Sequence, residues 1–176
     1  VALGRHPPHP LPRPLQARGV TIAATIRLLA DAVAARIAAG WTPTAPNAVT
    51  RVYLPDVEEA TRLEGRQVYV AFPLGYGQAE TADRAEDSRD YRVDVLVAEC
   101  FRGAAGPPPR DWLDERIDFV DGLWRDLGQA RAALFAAPFE NAYPVRAEVT
   151  TAFDPESLRE EKLFWSLLEL TYRRDE

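Results

Sequence analysis

Cys100 is the only thiol in the chain and directly follows Glu99. A thiolate nucleophile needs a base and an electropositive setting to lower its pKa, and the only two histidines, His6 and His9, stand far away among N-terminal prolines. Cys100 is therefore expected to be a small, half-buried structural residue, and a single cysteine excludes an intrachain disulfide or a multi-cysteine zinc site. His6 and His9 lack a further ligand type nearby, so they do not compose a metal set. A histidine-based triad would have to draw its base from that same proline-rich segment. Carboxylates are plentiful, and pairs such as Asp87 with Asp90 or Glu160 with Glu161 have the composition of a general acid and base. Charge runs of this kind are ordinarily solvated faces. Gly75-Tyr76-Gly77 lacks the third glycine and the following helix of a phosphate-binding loop. No catalytic, cofactor-binding or metal-binding residue is assigned, and the chain reads as a non-enzyme without a cofactor.

The composition narrows the classes further. The chain has 176 residues, 47% hydrophobic and 27% charged, with 21 basic and 27 acidic residues and a net charge of −6. That length supports one domain, or one domain with an appendage. An acidic chain lacks the positive field that phosphate neutralisation requires, which argues against sequence-independent DNA wrapping. All basic residues but Lys162 are arginine; genomic base composition is the bland account and guanidinium pairing the functional one. No uncharged stretch approaches the length of a spanning helix, and the N-terminus shows no hydrophobic signal core, so the protein is expected to be cytoplasmic at synthesis.

Proline is the compositional outlier. Five of the 15 prolines, Pro7, Pro8, Pro10, Pro12 and Pro14, fall within the first fourteen positions. They remove backbone donors and fix φ, so residues 1–19 are expected to form an extended arm, either a tether across a neighbouring subunit or a loose tail. Residues 20–176 are expected to form the folded domain.

Within that domain Ile22, Ile26, Leu29, Val33 and Ile37 make one stripe of a helix over Val20 to Ala39, with Thr21 as N-cap and Gly40 as stop. Val49 to Leu54 and Gln67 to Leu74 read as strands, the second with Val68, Val70 and Phe72 on one side. The polar stretch Asp56 to Gly65 between them reads as a turn or short helix. Gly75 to Asp90 is an aperiodic acidic loop, long for a connection inside a compact domain. Tyr91 to Phe101 is the clearest strand, with Tyr91, Val93, Val95 and Val97 on one face. Arg92 and Asp94 occupy the other face, which turns apolar at Leu96 and Ala98, so that end is expected to be covered. Asp111 is expected to cap a second helix carrying the stripe Leu113, Ile117, Val120, Trp124 and Leu127, and Ala130 to Ala137 could add a helical turn. Trp112, Trp124 and Trp165 fall in or beside patterned elements, as packing residues would. Val145 to Phe153 and Leu163 to Arg173 read as strands; for the latter a helix over Glu156 to Leu170 competes. Leu163, Trp165 and Leu167 would lie on one face of the last strand and Phe164, Leu168 and Leu170 on the other, which makes it central in the domain or part of a subunit interface. These six residues are the candidate interface. The predicted fold is α+β: one mostly antiparallel sheet of four to five strands with two main helices on one face, plus the proline-rich arm.

This order of elements resembles the tail terminator and tail completion proteins of long-tailed bacteriophages, which join the tail tube to the head connector. The residues that carry the resemblance are the Thr21 to Ala39 helix, the strand Asp90-Tyr91-Arg92-Val93-Asp94-Val95-Leu96-Val97, the helix from Asp111 and the ending Leu168-Glu169-Leu170-Thr171-Tyr172-Arg173. The resemblance implies a homohexameric ring stacked on the last tube ring, ending tube growth, with tail tube and neck or connector proteins as partners. It also implies residence in the virion after assembly in the host cytoplasm. DNA would pass through the lumen without specific binding, and an acidic lining would assist by repulsion. Glu80, Asp83, Glu86, Asp87 and Asp90 are the candidate lumen or docking loop. A neck or head-closure protein is the alternative within the class, and a small carboxylate-dependent hydrolase the alternative outside it.

Overall fold

A computed structural model describes residues 22–72, 88–103, 106–129 and 134–175. The arm and the candidate residues Glu80, Asp83, Glu86 and Asp87 lie outside the described residues. The element order is α1 (Ile22–Trp41), β1 (Ala48–Arg51), α2 (Val57–Arg62), β2 (Gln67–Ala71), β3 (Ser88–Cys100), α3 (Arg110–Gly128), β4 (Tyr143–Thr151), α4 (Pro155–Glu160) and β5 (Leu163–Asp175). Five strands form one sheet in the order β1-β2-β3-β5-β4. Only β1 and β2 pair in parallel; the other pairs are antiparallel. The fold is α+β, as the patterning predicts.

The alternation along the strands decides which face each helix covers. Val68 and Val70 of β2, Tyr91, Val93, Val95 and Val97 of β3, and Phe164, Leu168, Leu170 and Tyr172 of β5 pack in one cluster with Leu29, Val33 and Ile37 of α1 and Val120, Leu123 and Leu127 of α3. Both long helices therefore lie on one face of the sheet. On the far face α2 brings Ala60 and Val57 against Tyr69, Leu96, Ala98, Leu163 and Trp165, covering the end of β3 where its outward residues turn apolar. Beyond α2 that face is charged. Asp90 pairs with Arg173 at 2.7 Å, Arg92 with Asp94 and Glu169 at 2.9 and 2.8 Å, and Arg146 with Glu148 at 2.8 Å.

Several boundaries differ from the sequence-based expectations for local reasons. The first helix runs past Gly40 to Trp41 and ends where Thr42 takes a positive φ of 49°, its N–H donating to the Ala38 carbonyl, ahead of Pro43. Asp111 does not cap α3: the N-cap is Pro109, without a side-chain bond, and Asp111 sits in the first turn. Both short helices have aspartate caps, Asp56 accepting from the Glu59 N–H and Asp154 from Glu156 and Ser157. The Glu156 to Leu170 ambiguity resolves into both alternatives in succession, α4 and then β5, separated by Lys162 at φ 56°. Residues 134–142 are turns and not helix. Register shifts between Pro144 and Arg146 and between Val149 and Thr151 interrupt β4, and on this edge strand Val145 and Val149 are exposed.

Candidate functional site

The sheet and the two long helices together build a groove whose parts are far apart in sequence. Behind it is a buried ionic cluster. Arg66, Glu99 and Arg116 are 7%, 9% and 7% exposed. Glu99 Oε2 accepts from Arg66 Nε at 3.0 Å and from Arg116 Nε at 3.1 Å, and Oε1 accepts from Arg116 Nη2. Glu115 closes the cluster from the solvent side, accepting from Arg66 Nη2 at 3.1 Å and Arg116 Nη1 at 2.7 Å. Partial desolvation pushes the Glu115 carboxyl pKa up, but the two guanidinium groups outweigh it and hold it below the ordinary glutamate value. Two arginines and two glutamates thus satisfy one another where an unpaired charge would be costly.

The same guanidinium groups support aromatic rings. Arg66 Cζ lies 4.4 Å from the Phe119 ring centroid and 5.8 Å from that of Trp41, and Arg116 Cζ lies 4.2 Å from that of Trp112. Trp41 and Phe119 are in turn tilted together, centroids 5.0 Å apart. Trp41 is the last residue of α1 and Phe119 lies in the middle of α3, so the pair floors the cleft between the two helices. Gly40 on one wall and Gly122 on the other carry no side chain, and a Cβ built at either meets nothing within 4 Å. The result is an open groove of about 470 Å³ with Trp41, Phe119 and Leu123 in its lining. Asp126 stands at its rim in a bidentate pair with Arg36, at 3.0 and 2.6 Å. Asp114, Asp118, Gly122 and Asp126 recur at every fourth position of α3, so an acidic ridge runs beside the opening.

The residues singled out from sequence are dispersed. Asp90 is not in a loop: β3 begins at Ser88, and the facing end of β5 gives Asp90 a strand partner in Arg173. Leu163, Phe164, Leu168 and Leu170 are buried in this chain's own core, because β5 lies between β3 and β4 with helices on both faces. Of the six candidate interface residues only Trp165 and Leu167 are half-buried. Cys100 is half-buried, its Sγ 3.7 Å from the Glu161 carbonyl. Glu99, beside it, points to the opposite face and belongs to the ionic cluster. Among the described residues no group of three or more His, Cys, Asp or Glu side chains is placed to hold a metal ion. No helix among them is long and apolar enough to cross a membrane.

Sequence reasoning missed the groove. Trp41 stands just beyond the expected end of its helix, and Arg66 in a turn between elements, so neither has a periodic pattern to mark it. The available signal was Gly122, a glycine inside a strongly periodic helix, which at such a position has a packing or functional reason. No protein-family model matches the chain, and no curated protein matches it.

Proposed function

We propose that this chain is a structural subunit of a ring at the junction between a phage tail tube and its neck, in the manner of a tail terminator. The observation that supports the reading is the architecture: a long helix, two strands, a long connection, a third strand, a second long helix and two further strands, folded as one sheet with both long helices on one face. In a closed ring identical subunits meet through two different surfaces, and the groove between α1 and α3 is open to a polypeptide neighbour. The charged half of the far sheet face, with Asp90, Asp94, Glu148 and Glu169 each paired to arginine, is water-compatible and offers no uncompensated positive charge to DNA passing beside it.

The test is assembly. The purified chain is mixed with tubes of its cognate tail tube protein and examined by sedimentation and electron microscopy. The expected result is a closed ring, sixfold in projection, capping one end of each tube and preventing further elongation. A chain that neither associates with tubes nor changes their length overturns the reading.

A further inference from the structure

We infer that the groove between α1 and α3 is a receptor for the proline-rich N-terminal segment of a second copy of this chain. Receptor and occupant are complementary in three respects. The floor is aromatic, Trp41 against Phe119, and held rigid from behind by Arg66; aromatic grooves are what polyproline segments dock on, because their extended form is already set and little entropy is lost on binding. The walls are open at Gly40 and Gly122, where side chains would otherwise fill the space. The rim is acidic. Asp118 is exposed on the ridge beside Gly122, and Asp126, in the groove lining, is held in an exposed pair with Arg36, which costs little to exchange.

The segment matches each respect. Positions 7–14 read Pro-Pro-His-Pro-Leu-Pro-Arg-Pro, and the first 21 residues contain Arg5, Arg13 and Arg18 but none of the 27 acidic residues. In a chain of net charge −6, copies repel one another. This segment is the long stretch that one copy can offer another without that repulsion. The geometry favours a neighbour as its source. The segment joins α1 at Ile22, while the groove wall at Gly40 lies at the other end of that 20-residue helix, about 27 Å away at 1.5 Å per residue. To reach the groove of its own copy the segment would have to span the five turns of α1 between Ile22 and Gly40, a constraint that a segment from a second copy does not have. The inference does not depend on the virion reading, since arm exchange of this kind would join any oligomer.

The test uses two full-length variants. Gly122→Phe fills the groove from a position where a Cβ meets nothing within 4 Å, and circular dichroism checks that the fold is kept. Arg5→Glu/Arg13→Glu/Arg18→Glu reverses the segment and leaves the groove alone. By sedimentation velocity the wild-type chain is expected to associate, each variant alone to shift toward monomer, and an equimolar mixture to recover a one-to-one pair, with one variant supplying the segment and the other the groove. A fluorescent peptide of residues 4–18 is expected to bind the triple variant and to lose about tenfold or more in affinity, ~1.4 kcal/mol, against a chain carrying Gly122→Phe in addition. A Gly122→Phe chain that associates like wild type, or a wild-type chain that stays monomeric, overturns the inference. A groove variant that still caps tail tubes as a ring would sink this proposal and leave the junction reading standing. Groove-dependent pairing without tube binding would do the reverse.

Discussion

Glu99 holds two buried guanidinium groups at once, so its two possible replacements have different consequences. Glu99→Gln removes the buried charge that Arg66 and Arg116 share and leaves them with only Glu115, on the solvent side, as counterion. The expected loss is about 3–5 kcal/mol, measured by urea denaturation. Replacing the three buried members, Arg66, Glu99 and Arg116, by apolar residues of similar volume is expected to cost far less, because the charge that remains, on Glu115, is exposed to solvent. Two buried tyrosines make a parallel contrast. Tyr172 donates to the Leu127 carbonyl at 3.1 Å and packs edge-on against Phe135, centroids 5.3 Å apart. Tyr69 lies beneath α2 with a buried hydroxyl that has no hydrogen-bond partner. Tyr172→Phe is therefore expected to cost about 1 kcal/mol and Tyr69→Phe to be neutral or stabilising. Burial, with Asp126 adding to it, drives the Tyr172 pKa far above the ordinary phenol value. A raised folded-state pKa means that this contribution is fully present below about pH 10, the value in the unfolded chain, and is lost as pH rises beyond it. Stability measured from pH 8 to 11 should fall at the alkaline end in the wild type and fall less in Tyr172→Phe.

Among elements, α3 and β4 make a close contact. A Cβ on Gly128, the last residue of α3, would stand 2.3 Å from the Ala147 Cβ, and one turn earlier Trp124 Nε1 donates to the Ala147 carbonyl at 3.1 Å. Gly128→Ala is expected to destabilise by about 1–3 kcal/mol through overpacking, whereas Gly122→Ala on the same helix should stabilise by up to about 1 kcal/mol, since it removes a glycine from a helix interior without a clash. Thermal denaturation of the two variants decides the sign. These elements were largely legible in the sequence because their signals are periodic and local: the α1 and α3 stripes, and the alternation of β3 that turns apolar at Leu96. What stayed hidden depends on partners distant in the chain. The start of β3 at Ser88 looks like loop until β5 extends to Asp175 and pairs with it, and the β4 register shifts fall where that edge strand pairs with Tyr172 and Leu168. The two short helices are a milder case, since Asp56 and Asp154 are visible caps on stretches too short to show a period.

For the whole molecule the same distinction holds. The burial of Phe164, Leu168 and Leu170 was readable as apolar character on both faces of β5, but one chain's sequence does not separate a strand central to its own sheet from one shared with a neighbour. The groove and the ionic cluster behind it join Trp41 of α1, Arg66 of the turn before β2, Glu99 of β3 and Phe119 of α3, a convergence that the sheet order brings about. Charge is also distributed at this scale: acidic residues gather on α3 and on the far sheet face, and the N-terminal segment is purely basic, so association should be sensitive to ionic strength. Self-association through that segment is expected to weaken as sodium chloride is raised past physiological concentration, where screening shortens the reach of exposed charges below about 8 Å. Equal sedimentation at low and high salt would count against an electrostatic share in it.

The strand order carries one more implication, for synthesis. The last strand in the sequence, β5, is inserted between β3 and β4, pairing Ser88 with Asp175 at one end and Cys100 with Leu163 at the other. Until the ribosome has released that strand, β3 has an unpaired edge flanked by valines, and β4 has no neighbour at all. The nascent chain therefore carries an aggregation-prone edge from the emergence of β3 until that of β5, and completes its sheet in a single late, long-range step.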